Sequence, residues 1–307
     1  MVKEGKKNSR ELGLEVAAIC GEHFFKLKDL HYGYWTEGLE PSMSNMQKAQ
    51  ENYTNFLVSH IPSTVRTILD VGCGSGHLAK ELVDRGYSVD CVSPSHLLSE
   101  RAHVVLGEGS HIFECPYEQL ETENRYDLVL FSESFQYIRL ESALEKSMSV
   151  TNDNGYLLIC DVFRAAETKN GALGGGHKLV KLYDRISHYP FLPVEDIDIT
   201  EQTSPNLDIL DDALKNVVQP VLESSMSYLG GRYPLTVKFL RWKYRKNINE
   251  VCEKYFNGQR RSEDFKKFKT YRLLVYRKAV PATVEVKIQQ IESEPKITPL
   301  PVSASAQ

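Results

Sequence analysis

A chain of 307 residues, 41% hydrophobic, can bury one large core or two smaller ones, and its formal net charge of −4 gives no general attraction to nucleic acid or an anionic membrane. Its six cysteines (Cys20, Cys73, Cys91, Cys115, Cys160, Cys252) form no CxxC pair and its histidines no paired ligand spacing, so neither a disulfide framework nor a metal site is expected. The Lys-rich start lacks a signal-peptide run and no stretch is long and apolar enough to span a bilayer, so a soluble, reducing, cytoplasmic setting is expected, while nothing sets the oligomeric state.

Residues 1–10 are polar and read as frayed. From Glu11 to about Leu30 apolar residues recur at helical spacing (Leu14, Ala17, Ala18, Phe24, Phe25, Leu27). His31-Tyr32-Gly33-Tyr34-Trp35 interrupts them as an aromatic loop. A second helix is expected from Ser44 to His60, ended by Pro62. Residues 1–62 thus read as an N-terminal helical cap.

An α/β alternation follows over 63–165. Thr67–Val71 reads as a buried strand, and Leu78–Arg85 as a helix closed by Gly86. Ser88–Val92 is a second strand, His111–Cys115 a weaker third, Tyr126–Ser132 a strong fourth and Gly155–Phe163 a fifth. Short strands separated by helices imply a parallel sheet with helices on both faces. Beyond Arg164, residues 166–280 read as the rest of the core. Gly171–Gly176 is a flexible loop, Lys178–Tyr189 helical and Val194–Thr200 a sixth strand. Residues 202–266 are a charged helical insertion, and Tyr271–Arg277 is the last strand. Residues 281–307, rich in Pro, Ser and charge, read as a disordered tail.

The strongest motif is Ile68-Leu69-Asp70-Val71-Gly72-Cys73-Gly74-Ser75-Gly76. An apolar strand runs into three alternate glycines and a helix begins at once. Glycine is needed where backbone approaches a ligand closely or turns with positive φ. The helix start adds N–H groups without intrahelical partners. A dinucleotide loop would read GxGxxG; here the spacing is GxGxG after an acid. Asp70 would repel a pyrophosphate but can receive the ammonium of an amino-acid-like ligand. The Lys-Ser/Thr pair of a phosphate loop is missing at Gly76-His77-Leu78. The plain alternative is a tight strand-to-helix turn with no ligand.

This segment resembles class I S-adenosylmethionine-dependent methyltransferases, whose cofactor signature is D/E-x-G-x-G-x-G. The resemblance covers about residues 10–280 and is closest to the small-molecule branch that includes gamma-tocopherol methyltransferases and sugar O-methyltransferases. His31–Trp35 looks like the aromatic loop that folds over the methionine part of the cofactor, which brings in Tyr32 and Trp35. Glu133-Ser134-Phe135-Gln136-Tyr137 looks like the E-S-x-[E/H]-H segment beside the transferring methyl, with Ser132 just before it. The resemblance implies a Rossmann-like seven-stranded sheet with S-adenosylmethionine as cofactor. It also implies that Asp70, Gly72, Cys73, Gly74 and Gly76 shape the methionine and ribose end. Ser93 stands where the branch usually offers an acid to the ribose. The adenine-side loop matches at Cys115-Pro116-Tyr117-Glu118, with Tyr117 a candidate apolar wall and Glu118 beside it. The insertion is then expected to act as a substrate lid.

The branch commonly ends the segment after the fourth strand with a histidine. Here Gln136 and Tyr137 stand instead, and neither is a good base at neutral pH. Three candidates to supply one are His177 on the glycine-rich loop, His31 and Glu133. The bland alternatives are an exposed loop histidine for His177 and a stapling role for the aromatic loop. The basic run Lys238–Lys246 interleaves aromatics with charge and reads as a charged helical face. The expected activity is methyl transfer to a small, lipid-like or specialised-metabolite acceptor. A protein or RNA methyltransferase, a non-catalytic cofactor-binding scaffold, and an NAD-type oxidoreductase (disfavoured by the glycine spacing) are the rivals.

Overall fold

The computed structural model describes residues 31–165, 175–255 and 261–280. The expected frayed start and Glu11–Leu30 helix, most of the Gly171–Gly176 loop and the 281–307 tail lie outside the described residues. One sheet holds β1 (Thr67–Val71), β2 (Ser88–Val92), β3 (Ile112–Phe113), β4 (Tyr126–Ser132), β5 (Thr151–Arg164), β6 (Phe191–Asp198) and β7 (Lys269–Lys278). Their spatial order is β3-β2-β1-β4-β5-β7-β6.

Strands β1 to β5 pair in parallel, as the alternation implies. β7 departs from that expectation, lying antiparallel between β5 and β6. The reason is topological. β6 runs in the same direction as β5, so it ends at the carboxyl edge of the sheet. The helical insertion starts there, and the chain re-enters from that edge and must run back. β6 is the outer strand, which is why Pro193 is tolerated with a register shift between Pro193 and Glu195.

Side chains alternate between the faces with period two. Ile68, Leu128, Leu130, Leu158, Leu273 and Val275 face one apolar cluster. Leu69, Val71, Val129, Phe131, Leu157 and Ile159 face another. Tyr53 and Leu57 of α1 (Met46–Ser59) and Leu78 and Leu82 of α2 (His77–Asp84) cover the first face. α3 (His96–Leu106) follows β2, capped by the Ser95 hydroxyl, which accepts from the Leu98 N–H at 3.4 Å. Leu140 and Leu144 of α4 (Leu140–Val150) and Leu182 and Ile186 of α5 (Leu179–Ile186) cover the second face.

The insertion between β6 and β7 is helical, as expected. It comprises α6 (Thr200–Thr203), α7 (Pro205–Ala213), a π-helical stretch (Leu214–Val218), α8 (Gln219–Arg232), α9 (Pro234–Lys243), α10 (Arg245–Tyr255) and α11 (Ser262–Phe268). Its ends belong to the core: Leu207 and Phe265 are buried in the first cluster. Its middle is different, for no residue from Asp212 to Glu250 is buried. No described helix is long and apolar enough to cross a membrane.

Candidate active site

The strand order reverses between β1 and β4, and the crevice outside the carboxyl ends of such strands is where ligands bind in open α/β sheets. The glycine loop sits there. Gly72, Gly74 and Gly76 all have left-handed backbone, at φ +82°, +56° and +86°. A Cβ on Gly72 would lie 2.5 Å from Ser134 Cβ, and one on Gly76 2.9 Å from Ala102 Cα. Those two glycines allow close packing against β4's extension and α3. Gly74 differs: a Cβ there would meet nothing within 4 Å. Its backbone borders open space, as a ligand cradle requires. The loop is held by the Gly72 N–H donating to the Val92 carbonyl at 2.7 Å and by the Ser134 hydroxyl donating to the Val71 carbonyl. Asp70, next to last in β1, has 1% of its surface exposed. Cys73 is buried between the glycines.

The segment after β4 carries the site's one strained acid. Glu133 has φ +55°, a conformation disfavoured for a residue with a Cβ by about 1–2 kcal/mol. Its N–H donates to the Cys160 carbonyl at 2.9 Å. Its Oε1 accepts from the Tyr32 N–H and the Tyr271 hydroxyl, both at 2.7 Å. Burial pushes its carboxyl above the usual range, against the pull of His31, the Tyr32 N–H and Tyr271. The Tyr271 hydroxyl lies 3.1 Å from that of Tyr53, which is 3.0 Å from Ser132 Oγ. Burial drives both phenols well above their ordinary range, so they stay protonated. A chain of hydroxyls thus ties α1, β4 and β7 to the aromatic loop through one carboxylate.

The aromatic loop is fixed by residues distant in sequence. His31 stacks on Tyr53 with ring centroids 4.4 Å apart, and its Nδ1 lies 2.9 Å from the Tyr32 carbonyl. The Gly33 N–H donates to Asn206 Oδ1 at 2.9 Å, and Asn206 Nδ2 donates to the Gly33 carbonyl at 2.7 Å. Gly33 is glycine because a Cβ would lie 2.5 Å from Ala49 Cβ. The Trp35 N–H donates to the Gln202 carbonyl at 2.9 Å, while its ring is buried with Met46, Ala49 and Ile209. Trp35 therefore staples the loop to α1 and α7.

A second cluster lies around Gln136. Its N–H and Nε2 donate to the two oxygens of Asp161, each at 2.9 Å, and the Val162 N–H adds 2.6 Å to Oδ1. Asp161 is fully buried, and burial, opposed by those N–H groups, pushes its carboxyl up to about 7. His177 packs edge-on against Phe135, 5.6 Å between centroids, with Nε2 2.9 Å from the Ile138 carbonyl. A carbonyl only accepts, so Nε2 is the donor and Nδ1 is the nitrogen left for another partner. Lys269 donates to the Gly175 carbonyl at 2.6 Å, and burial with Arg164 nearby lowers its ammonium to about 8. Tyr137 is exposed.

The adenine-side candidates sit apart from both clusters. The Ser93 N–H donates to the Phe113 carbonyl at 3.0 Å, and its Oγ accepts from the Ser95 N–H at 3.3 Å. Tyr117 is buried edge-on against Phe131 at 5.3 Å, its hydroxyl 3.1 Å from Ser147 Oγ. Glu118 is exposed. The structure therefore brings His31, Tyr32, Ser132 and Glu133 together, and sets His177 against Phe135 and Ile138, in the segment that also carries Gln136. Asn206, Tyr53, Tyr271, Asp161 and Lys269 went unrecognised in the sequence. Of these only Asp161, an acid inside the apolar run of β5, left a visible signal.

Three alternate left-handed glycines at the switch point, a buried acid on the strand before them and open space at Gly74 make this loop the candidate cofactor site of a seven-stranded methyltransferase sheet. The residues fit S-adenosylmethionine: a carboxylate for its ammonium and a Cβ-free backbone for its methionine and ribose. Residues 44–268 match the family model described as a methyltransferase domain. The chain belongs to that methyltransferase family, whose methyl donor is S-adenosylmethionine.

An uncharacterized methyltransferase of Staphylococcus carnosus (strain TM300) is 26% identical over 145 residues, 45% of this chain and 64% of that protein. The curated relatives it matches are spanned over 41% to 64% of their own length. Among solved structures, the [4+2]-cyclase SpnF superposes with a TM-score of 0.63 at 14% identity, covering 89% of this chain and 98% of that one. Geranyl diphosphate C-methyltransferase from Streptomyces coelicolor A3(2), solved with Mg2+, geranyl diphosphate and S-adenosyl-L-homocysteine, gives 0.62 at 14% identity, covering 90% and 100%. Among the described residues no group of three or more His, Cys, Asp or Glu side chains is arranged to hold a metal.

Proposed function

We propose that this chain moves the methyl group of S-adenosylmethionine to a small-molecule acceptor of lipid-like or specialised-metabolite character. The observation that carries the reading is Gly74, the one glycine of the loop whose missing side chain leaves open space. Bound S-adenosylmethionine supplies a methyl already activated on sulfur, so the protein's task is proximity, orientation and exclusion of water. Asp70, Gly72, Gly74 and Gly76 hold the methionine and ribose end, with Cys73 part of the same cradle and Ser93 toward the ribose. Tyr32, Ser132 and Glu133 close the methionine side. Tyr117 and Glu118 act less directly, Tyr117 by supporting the adenine-side turn from the core.

The acceptor is oriented by the segment from Glu133 to Tyr137. Asp161 fixes both the backbone and the amide N–H of Gln136, which leaves Gln136 Oε1 to receive an acceptor N–H or O–H. Positioning suffices for an amine, thiolate or electron-rich carbon. Where the acceptor must lose a proton, His177 is our first candidate to take it, with His31 and Glu133 the others. A small-molecule acceptor is supported by the structural likeness to a C-methyltransferase solved with geranyl diphosphate. It is also supported by the buried clamp of the aromatic loop over the site, which suits a closed pocket better than an open groove.

The test is incubation with methyl-labelled S-adenosylmethionine and, separately, a metabolite extract, a protein mixture and total RNA. Label is expected in the metabolite fraction alone. Label in protein or RNA overturns the small-molecule assignment. No transfer to any fraction by protein that binds the cofactor supports the scaffold reading instead.

A further inference from the structure

The middle of the insertion carries chemistry that the transferase reading does not use. Between Ser224 and Asn249 stand six cations (Arg232, Lys238, Arg241, Lys243, Arg245, Lys246) and no acid, in a chain of net charge −4. Large apolar side chains are interleaved with them and point to solvent: Leu235 is 82% exposed, Trp242 73% and Tyr228 71%, with Phe239 and Leu240 about half exposed. Leu235, Phe239 and Trp242 recur at i, i+4 and i+7 of α9 and so share one face. The Phe239 and Trp242 rings lie 6.1 Å apart. Lys238 and Lys243 flank that stripe, and the Lys243 ammonium lies 5.5 Å from the Tyr244 ring centroid.

We propose that α9, with the adjoining ends of α8 and α10, is a docking surface for an anionic lipid bilayer. A helix with an apolar aromatic face edged by Lys and Arg lies in the plane of the headgroups, its apolar face in the acyl boundary and its cations on the phosphates. Both halves of that pairing are present in one ten-residue helix. A second copy of this chain fits less well, because a two-fold contact would set the all-basic face against itself. Nucleic acid would use the cations and aromatics but leaves Leu235 and Leu240 without a partner. Exposed leucines of this size have a use in hydrocarbon. The surface is independent of the methyl-transfer assignment, since no residue from Asp212 to Glu250 belongs to the core.

The full chain serves directly for the test, because Trp35 is buried and Trp242 is the exposed member of its two tryptophans. It is mixed with phosphatidylcholine vesicles, or with vesicles carrying about 30% phosphatidylserine, and sedimented while tryptophan emission is recorded. Co-sedimentation with the anionic vesicles and a blue shift of Trp242 are expected, both weakened at about 0.5 M salt. Replacing Lys238, Arg241 and Lys243 by Gln removes three cations. At about five-fold per cation, partitioning falls on the order of 100-fold. L235S/F239S/W242S abolishes it, with S-adenosylhomocysteine binding unchanged in both variants as the check on folding. Equal binding to neutral vesicles, no binding to either, or binding that survives both sets of substitutions overturns the proposal. So does salt-sensitive binding to RNA without vesicle binding, and so does a dimer that dissociates on W242S without vesicle binding.

Discussion

Asn206→Ala isolates the clamp that holds the aromatic loop. The wild-type side chain is fully used: Oδ1 takes the Gly33 N–H at 2.9 Å, and Nδ2 gives its protons to the Gly33 and Thr203 carbonyls at 2.7 Å each. Asn206 is buried and Gly33 is pressed against Ala49, leaving little room for replacement water. Truncation strands one buried donor and one buried acceptor of Gly33, each worth about 1–3 kcal/mol when unsatisfied. With partial relaxation the loss is about 2–4 kcal/mol, a fall in Tm of roughly 4–16 °C for a domain of this size. Urea unfolding and thermal melts measure it. Asn206→Asp is the diagnostic partner. It keeps the acceptor for the Gly33 N–H but turns a second oxygen toward two carbonyls, so it is at least as damaging as Ala. Cofactor affinity falls in both variants because Gly33 sits between Tyr32 and Tyr34 of the loop. An Asn206→Ala protein within about 0.5 kcal/mol of wild type, the range of an ordinary surface substitution, refutes the clamp. A well-tolerated Asp refutes it equally.

Two further outcomes are expected. Asp161 holds its proton up to about 7 in the folded chain against an ordinary value of 3.8. The folded state therefore carries the extra proton between those values, and the contribution to stability is full below about 4 and lost as pH rises to about 7. The stability difference between wild type and Asp161→Asn, followed by urea unfolding across that window, changes with pH; parallel profiles contradict the assignment. Once an acceptor is known, substitution of His177, His31 or Glu133 separates positioning from base catalysis. His177→Gln lowers turnover by about 10²–10⁴-fold for an acceptor that must lose a proton, with cofactor affinity held, and leaves an acceptor that needs no deprotonation nearly unaffected. Equal losses for both acceptor types exclude His177 as the base.

The sheet was legible wherever an apolar run met a hard stop. Thr67–Val71, Ser88–Val92 and Tyr126–Ser132 were read residue for residue, because glycine, Ser-Pro or Glu-Ser ends each run at the carboxyl edge. β7 was legible as a strand but not as an antiparallel one, since direction depends on where the insertion leaves and re-enters. The glycine loop was legible as a group, though only the backbone separates the packing glycines, Gly72 and Gly76, from Gly74. The pairings that shape the site were not. Gly33 with Asn206, and Tyr53 with Tyr271, join positions 173 and 218 residues apart, and local pattern carries no information at that range. Lys238–Lys246 read as a charged face because composition does not report that its aromatics are left uncovered.

Calorimetric titration of S-adenosylhomocysteine into the wild-type chain and Gly74→Val tests the central claim most directly. The wild type is expected to bind at micromolar levels, about −8 kcal/mol. Gly74→Val places two methyl groups in the space the ligand occupies. It is expected to give no heat of binding while keeping the wild-type circular dichroism, with left-handed strain costing about 1–2 kcal/mol of stability. A wild type that gives no heat, or a folded Gly74→Val that binds with unchanged affinity, contradicts the placement of the cofactor on this loop.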